Sequence, residues 1–160
     1  MIRIVGEPNN MTMNTSKPIS SIMSTDLITV KEMDRLVTIE QKFKTHLIHH
    51  LPVVDENAAL VGIISKADML HIARMIEQDA SGTTYIAKVY DSWTAARIMT
   101  AQPLTLDPDD TIGLAADIFL QNQFHAIPVI EDYRLVGIVT SHDLLKYAYE
   151  EVGLSEASKA

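Results

Sequence analysis

Val136-Gly137-Ile138-Val139-Thr140-Ser141-His142-Asp143 is a short apolar run that ends in a hydroxyl residue and carries a carboxylate three positions later. The chain has nearly the same wording 75 residues earlier, at Val61-Gly62-Ile63-Ile64-Ser65-Lys66-Ala67-Asp68. Each copy reads as a strand running into a helix, whose first apolar residues are Met69-Leu70 and Leu144-Leu145. A hydroxyl followed three residues on by an acid, at such a junction, is a capping box: side chain and backbone satisfy each other's free groups and start the helix. The chain is therefore an internal duplication, and its period governs every other structural reading.

Upstream of each copy the matches continue. Leu51-Pro52-Val53-Val54 corresponds to Ile127-Pro128-Val129-Ile130, and Ile22-Met23 to Ile98-Met99, both at an offset of 76. The offset falls to 75 because the second hairpin turn is one residue shorter, a deletion that a loop absorbs and a strand does not. Ser16 reads as the cap of a short helix with Pro18 in its first turn and Ile19, Ile22 and Met23 on its apolar face. A strand follows at Leu27–Val30. A helix is expected from Asp34 to about Leu47, with Leu36, Ile39, Phe43 and Leu47 inward; then comes a hairpin, Leu51–Asp55 and Leu60–Ile64, and a helix from Lys66 to about Gln78. The second half repeats this with a short helix at Ser92–Met99, a strand at Leu104–Leu106 and a helix over Asp110–Gln123 that turns Ile112, Ala115, Phe119 and Leu120 inward. The expected divisions are a mobile arm at 1–15, with a β segment at Ile2–Val5, a first repeat at 16–78, a linker at 79–91, a second repeat at 92–150 and a fraying polar tail at 151–160. The fold class is α/β (α+β): two βαββα repeats, each preceded by a short helix, packed as a pseudo-twofold pair. Each repeat alone is small for a stable core, so the halves are expected to share one.

With 47% apolar and 21% charged residues in 160, the composition is that of an ordinary globular protein. No apolar run approaches the roughly 18 residues that cross a membrane, and the start lacks a signal-peptide core, which points to the cytoplasm. There is no cysteine, hence no disulfide or thiol nucleophile. A formal charge of −8 disfavours nucleic acid as a partner while leaving room for one small nucleotide in a local pocket.

On these motifs, in this order and twice over, the chain resembles a tandem pair of cystathionine-β-synthase (CBS) domains, a Bateman module, from about Ser16 to Tyr149. The resemblance implies a regulatory module rather than an enzyme. It implies an adenosine-containing ligand (AMP, ADP or ATP, with or without Mg) in the cleft between the repeats, and an attached or separate protein that is regulated. Within these 160 residues no catalytic or transporter domain is expected beside the pair, which leaves the regulated protein open. S-adenosylmethionine binding, or an interaction module with a vestigial cleft, are the alternatives. No obligatory cofactor is expected.

The resemblance places the ligand at Ser65 and Asp68 and at Thr140 and Asp143, with hydroxyl to phosphate and carboxylate to ribose. Free helix-start amides favour a phosphate there. Thr29 and Thr105 would face adenine or ribose, and Val30 and Leu106, with Val53 and Val129, would wall the base. Lys66, Ser141 and His142 sit inside the motifs. Thr140 and Asp143 make the second copy the stronger candidate, since Asp107-Pro108-Asp109-Asp110 matches the family's usual turn, whereas Glu32 in the first copy would repel a phosphate. His49 and His125 are repeat partners, each three residues before its proline; contact with phosphate or base, or a plain partly exposed histidine, is preferred to metal. His46, His50 and His71 have no such partner. No Walker loop, Gly-x-Ser-x-Gly or His-Glu-x-x-His occurs. The two closing helices are apolar over a wide arc, which predicts a homodimer through them.

Overall fold

The computed structural model describes residues 13–79, 83–122 and 124–157. The first half has a 3₁₀ turn at Ile19–Ser21, β1 (Val30–Lys31), α1 (Leu36–Thr45), β2 (His50–Val54), β3 (Leu60–Ser65) and α2 (Lys66–Asp79). The second has α3 (Thr83–Ser92), α4 (Ala95–Ile98), β4 (Thr100–Ala101), α5 (Ile112–Gln121), β5 (Ala126–Glu131), β6 (Arg134–Thr140) and α6 (Ser141–Ala157).

The first sheet has the order β1-β2-β3-β4. β1 runs parallel to β2 with Val30 beside Val53, and β2 pairs antiparallel with β3 with Leu51 opposite Ile64. The outermost strand, β4, comes from the other half of the chain, with Thr100 opposite Ile63 and Ala101 opposite Gly62. The second sheet has the same plan: β5 and β6 form the hairpin, Leu106 bridges Val129 in parallel, and Ser24 bridges Ile138 antiparallel. Ser24 and Ile138 exchange both backbone hydrogen bonds, at 2.9 and 3.0 Å.

Each sheet is thus completed by the segment that follows the other half's short helix. The helices cross over as well. Ile19 is fully buried in the second core beside Ile112, Ile127 and Val139, and Ala95 is fully buried in the first core beside Leu36, Leu51 and Ile64. The repeats of the sequence are therefore not the packing units of the fold. This exchange explains the glycine of each Val-Gly-Ile stretch. A β-carbon on Gly62 would lie 2.8 Å from Met99 Cγ, and one on Gly137 3.0 Å from Met23 Cγ, so only glycine leaves space for the incoming methionine. The hairpin tips also meet across the pseudo-twofold, Ala59 bridging Arg134.

Several expectations need correction. The linker 79–91 contains α3: Ile86, Val89, Tyr90 and Trp93 recur at helical spacing and pack on the first core. The short helix of the second half is only Ala95–Ile98, and Ser92 ends α3. The strand expected at Leu27–Val30 begins at Val30, and Leu104–Leu106 contributes only the bridge at Leu106. Ser16 does not cap the first turn; Pro18 holds that place with no side-chain hydrogen bond. Leu47 and Leu120 are 105% and 85% exposed. Leu47 lies beyond the end of α1, where His46 is already extended, and Ile118 takes the inward position expected of Leu120.

Residues 1–12 of the expected arm and 158–160 of the expected tail lie outside the described residues, and the parts nearer the repeats are ordered. Met13 packs on the second core, Gly113 N–H donates to Thr15 carbonyl at 2.8 Å, and the Tyr147 hydroxyl donates to Asn14 carbonyl at 3.0 Å. The helix α6 continues through Ala157, and Lys17 Nζ meets Glu151 Oε1 at 2.9 Å. The β segment expected at Ile2–Val5 lies outside the described residues.

Candidate functional site

Both strand-to-helix junctions close as reciprocal capping boxes. Thr140 N–H and Oγ1–H donate to Asp143 Oδ2 at 2.8 and 2.7 Å, and Asp143 N–H donates back to Thr140 Oγ1 at 3.2 Å. Ser65 and Asp68 repeat the pattern at 3.3, 2.5 and 3.0 Å. All the acid's bonds fall on Oδ2, so Oδ1 of each carboxylate has no hydrogen bond among the described residues.

The first-turn amides are similarly divided. Lys66 N–H donates to His49 carbonyl at 2.8 Å and Ser141 N–H to His125 carbonyl at 3.1 Å. The third amide of each turn goes to the capping hydroxyl. The amides of Ala67 and His142 stand in the first turn of α2 and α6, where an N–H has no intrahelical acceptor. A helix start therefore offers such an amide, its positive end and one free carboxylate oxygen. The hydroxyl of each box donates to its own acid, so Thr140 and Ser65 position that carboxylate.

Both junctions open onto one cleft of about 1220 Å³ between the halves. The lining follows the repeat. Ser24 answers Thr100, Asp26 answers Gln102, Ile28 answers Leu104, and Ile63 answers Ile138. Of the residues singled out in the sequence, His49, Ser65, Lys66 and Asp68 line it from the first half, and His125, Thr140, Ser141, His142 and Asp143 from the second. Thr29, Val30, Thr105 and Leu106 are not among its lining. Val30 and Leu106 are buried in the two cores, as are Val53 and Val129, because their strand pairing turns them inward. The apolar walls come instead from positions one or two residues earlier, Leu27, Ile28, Pro103 and Leu104, with Pro52, Ile63 and Ile138. Glu32 also lies away from the cleft, beside Lys31 and Asn57.

Sequence reading weighed His50 without placing it at the site and passed over Asp26, Gln102 and Phe124; all four line the cleft. Their signal was the repeat offset: Ile48-His49-His50 corresponds to Phe124-His125-Ala126. Gln102 adopts a positive φ of 49°, uncommon for a residue with a side chain, while its N–H donates to Val61 carbonyl at 3.1 Å. Burial holds the half-buried His50 imidazole below its ordinary value of 6.5; His49 and His125 add to this and Asp68 opposes it. Among the described residues no group of three or more His, Asp or Glu side chains is arranged to hold a metal ion, and no helix is long and apolar enough to cross a membrane.

Comparison with known proteins gives the same architecture. The CBS domain family model matches residues 19–74 and 95–150. The L-aspartate semialdehyde sulfurtransferase of Methanocaldococcus jannaschii is 32% identical over 127 residues, covering 79% of this chain. The chain spans only 22% of that protein's length. Among solved structures, the CBS domain pair of protein MJ0100 in complex with 5′-methylthioadenosine and S-adenosyl-L-methionine is 28% identical, with a TM-score of 0.67 over 84% of this chain and 97% of that one. CBSX2, a CBS-pair protein from Arabidopsis thaliana, in complex with AMP, is 25% identical, with a TM-score of 0.68 over 84% and 97%.

Proposed function

The chain belongs to the CBS domain family, and on that premise we propose that its cleft binds an adenosine-containing ligand and passes the binding event to a partner protein. The observation that carries this reading is the pair of capping boxes, each setting a helix start and a carboxylate with one unbonded oxygen in the lining of one apolar-walled cleft. A ribose diol is a pair of donors that suits such a carboxylate. The base suits the aliphatic walls near Ile28, Leu104, Ile63 and Ile138, and a phosphate suits the amides of Ala67 and His142. The cleft exceeds the roughly 300–1,000 Å³ of a usual small-molecule site, so both ends can be filled together. AMP, ADP, ATP and S-adenosylmethionine are the ligand set; Mg would arrive with ATP rather than on a site of its own. The complexes of MJ0100 and CBSX2 support the ligand class. The role proposed for the chain is regulation rather than catalysis.

Signalling requires a ligand that favours one packing of the halves over another, since equal affinity for both shifts nothing. The outward faces of the closing helices carry Leu70 at 51% exposure, Leu145 at 68% and Tyr149 at 78%, and the proposal places a homodimer contact there. Leu145→Glu should then convert a dimer to a monomer in sedimentation; an unchanged profile removes the contact.

A thermal-shift screen with AMP, ATP, 5′-methylthioadenosine and S-adenosylmethionine tests the ligand. At 100 times its dissociation constant a ligand adds about 2.7 kcal/mol to apparent stability. Asp143→Ala should remove most of the shift, and the absence of any shift in the unsubstituted chain overturns the reading.

A further inference from the structure

Four of the six histidines of this chain, His49, His50, His125 and His142, line the one cleft. The fixed charges around them are few. Asp26, Asp68 and Asp143 face Lys66, a formal −2 while the imidazoles are neutral. Full protonation of the four imidazoles would turn the same lining to a formal +2. Imidazole is the side chain whose charge ordinarily changes between about pH 5 and 8.

The placement matches the free anion-binding groups. His49 and His125 are repeat equivalents, one beside each helix start, where their carbonyls hold the amides of Lys66 and Ser141. His142 lines the cleft and contributes a first-turn amide of α6, so an imidazole and an N–H without an intrahelical acceptor come from a single residue. His50 belongs to the first half alone, its counterpart being Ala126, and lies near enough to His49 and His125 for their charges to oppose its own. The groups facing this cluster from the packed elements are Lys66 and Asp68 at the start of α2, Asp143 at the start of α6 and Asp26 before β1.

We propose that proton uptake by this imidazole cluster selects the class of adenosyl ligand: phosphorylated nucleotides at mildly acidic pH, uncharged or sulfonium-bearing adenosyl compounds above neutrality. This rests on the adenosyl reading of the cleft and adds a regulation to it. An anion placed among the rings offsets their mutual repulsion, so phosphate and protons bind each other's complex more tightly by linkage. With the rings neutral, the carboxylates dominate and repel a phosphate while attracting a sulfonium.

The test is calorimetric titration of the full chain with AMP and with 5′-methylthioadenosine at about pH 8 and about pH 6, each in two buffers of different ionisation enthalpy. AMP is expected to bind about tenfold tighter at the lower pH, one unit charge's worth at close range, and to take up protons. Methylthioadenosine should change less than about twofold, having no charge for the cluster to act on. The phosphate itself gains a proton near pH 6 and loses charge, which weakens AMP, so a tightening originates in the protein. The double substitution His50→Gln, His125→Gln, checked for folding by its circular dichroism melt, should remove at least half of the logarithmic difference. Equal pH dependence for the two ligands, AMP that weakens in acid, or a folded double variant with unaltered dependence overturns the proposal while leaving the adenosyl reading intact. If the double variant fails to fold, the two-ligand comparison decides. If neither ligand binds at either pH, the adenosyl reading has failed as well.

Discussion

At the start of α2 the cleft receives Lys66 and Ala67, and at the start of α6 it receives Ser141 and His142. The first half adds Asp26 and His50 where the second has Gln102 and Ala126. Around these positions the two halves share nearly everything: the capping boxes, the antiparallel hairpins, the glycine under the incoming methionine and the histidine before the proline strand. The contrast separates two kinds of constraint. Positions that hold the pseudo-twofold together have stayed alike, while positions that face only the cleft have diverged in charge. Thr140 remains half-buried with its acid, whereas the Ser65–Asp68 box is exposed, so the second junction is the more sheltered of the two.

The strongest way to break the likeness is at the glycines. Gly62→Ala should destabilise more than Gly137→Ala, within the roughly 1–3 kcal/mol typical of overpacking, because the three atoms nearest it include Met99 Cβ, which is fixed to the backbone, while those nearest Gly137 are Sδ, Cγ and Cε of Met23. Pairing Gly62→Ala with Met99→Ala should recover part of the loss, read as a coupling energy from urea midpoints. Equal losses at the two glycines would show that the exchange contacts are not what sets the cost.

The capping acids come next. Asp143→Ala should cost about 1 kcal/mol of stability without ligand, and Asp68→Ala less, since its box is already solvated. A larger loss at Asp68 would reverse the ranking of the two sites.

His50 gives a pH-dependent contrast with Ala126. Its folded value lies below 6.5, so the unfolded chain binds the proton more readily. The stability attached to neutral His50 is complete above pH 6.5 and drains away as the pH falls through the lower folded value. His50→Gln should flatten that acid slope in urea midpoints measured from about pH 7.5 to 5. An unchanged slope would assign it to other groups.

The smallest effect belongs to the hairpin turns. Asp132 and Tyr133 have φ of 48° and 65°, the two-residue turn that favours glycine, while the longer first turn has one such residue, Ala58, at 63°. Tyr133→Gly should raise the melting temperature by a degree or two, the left-handed cost slightly outweighing the added freedom of the unfolded chain.

Much of the fold was legible because duplication writes each element twice. The capping boxes, both hairpins and the long helices follow from spacing alone. The helix α3 escaped notice because Ser81-Gly82 interrupts the period and the sequence 76 residues earlier lacks its apolar spacing, although Ile86, Val89, Tyr90 and Trp93 carried its signal. The exchange of short helices was not legible: Ile19 would be apolar under either packing, and which core receives it depends on the twofold arrangement of the halves. The site was legible at its helix starts and misjudged at its walls. The resemblance put Thr29 and Val30 at the cleft, whereas the chain pairs only from Val30 and lines the cleft with Leu27 and Ile28 before that.

The crossing of Ile19 into the second core also constrains the order in which this protein can be made. A ribosome extends the chain at roughly 5–20 residues per second, and domains ordinarily close as they emerge. Here Ile19 packs against Val139 and Ser24 bridges Ile138, so the earliest part of the fold finds its partners in nearly the last strand. The first core in turn waits for Ala95 and β4. Neither half can finish on its own during synthesis, and the nascent chain must carry its apolar N-terminal turn in the open until the second hairpin has left the exit tunnel.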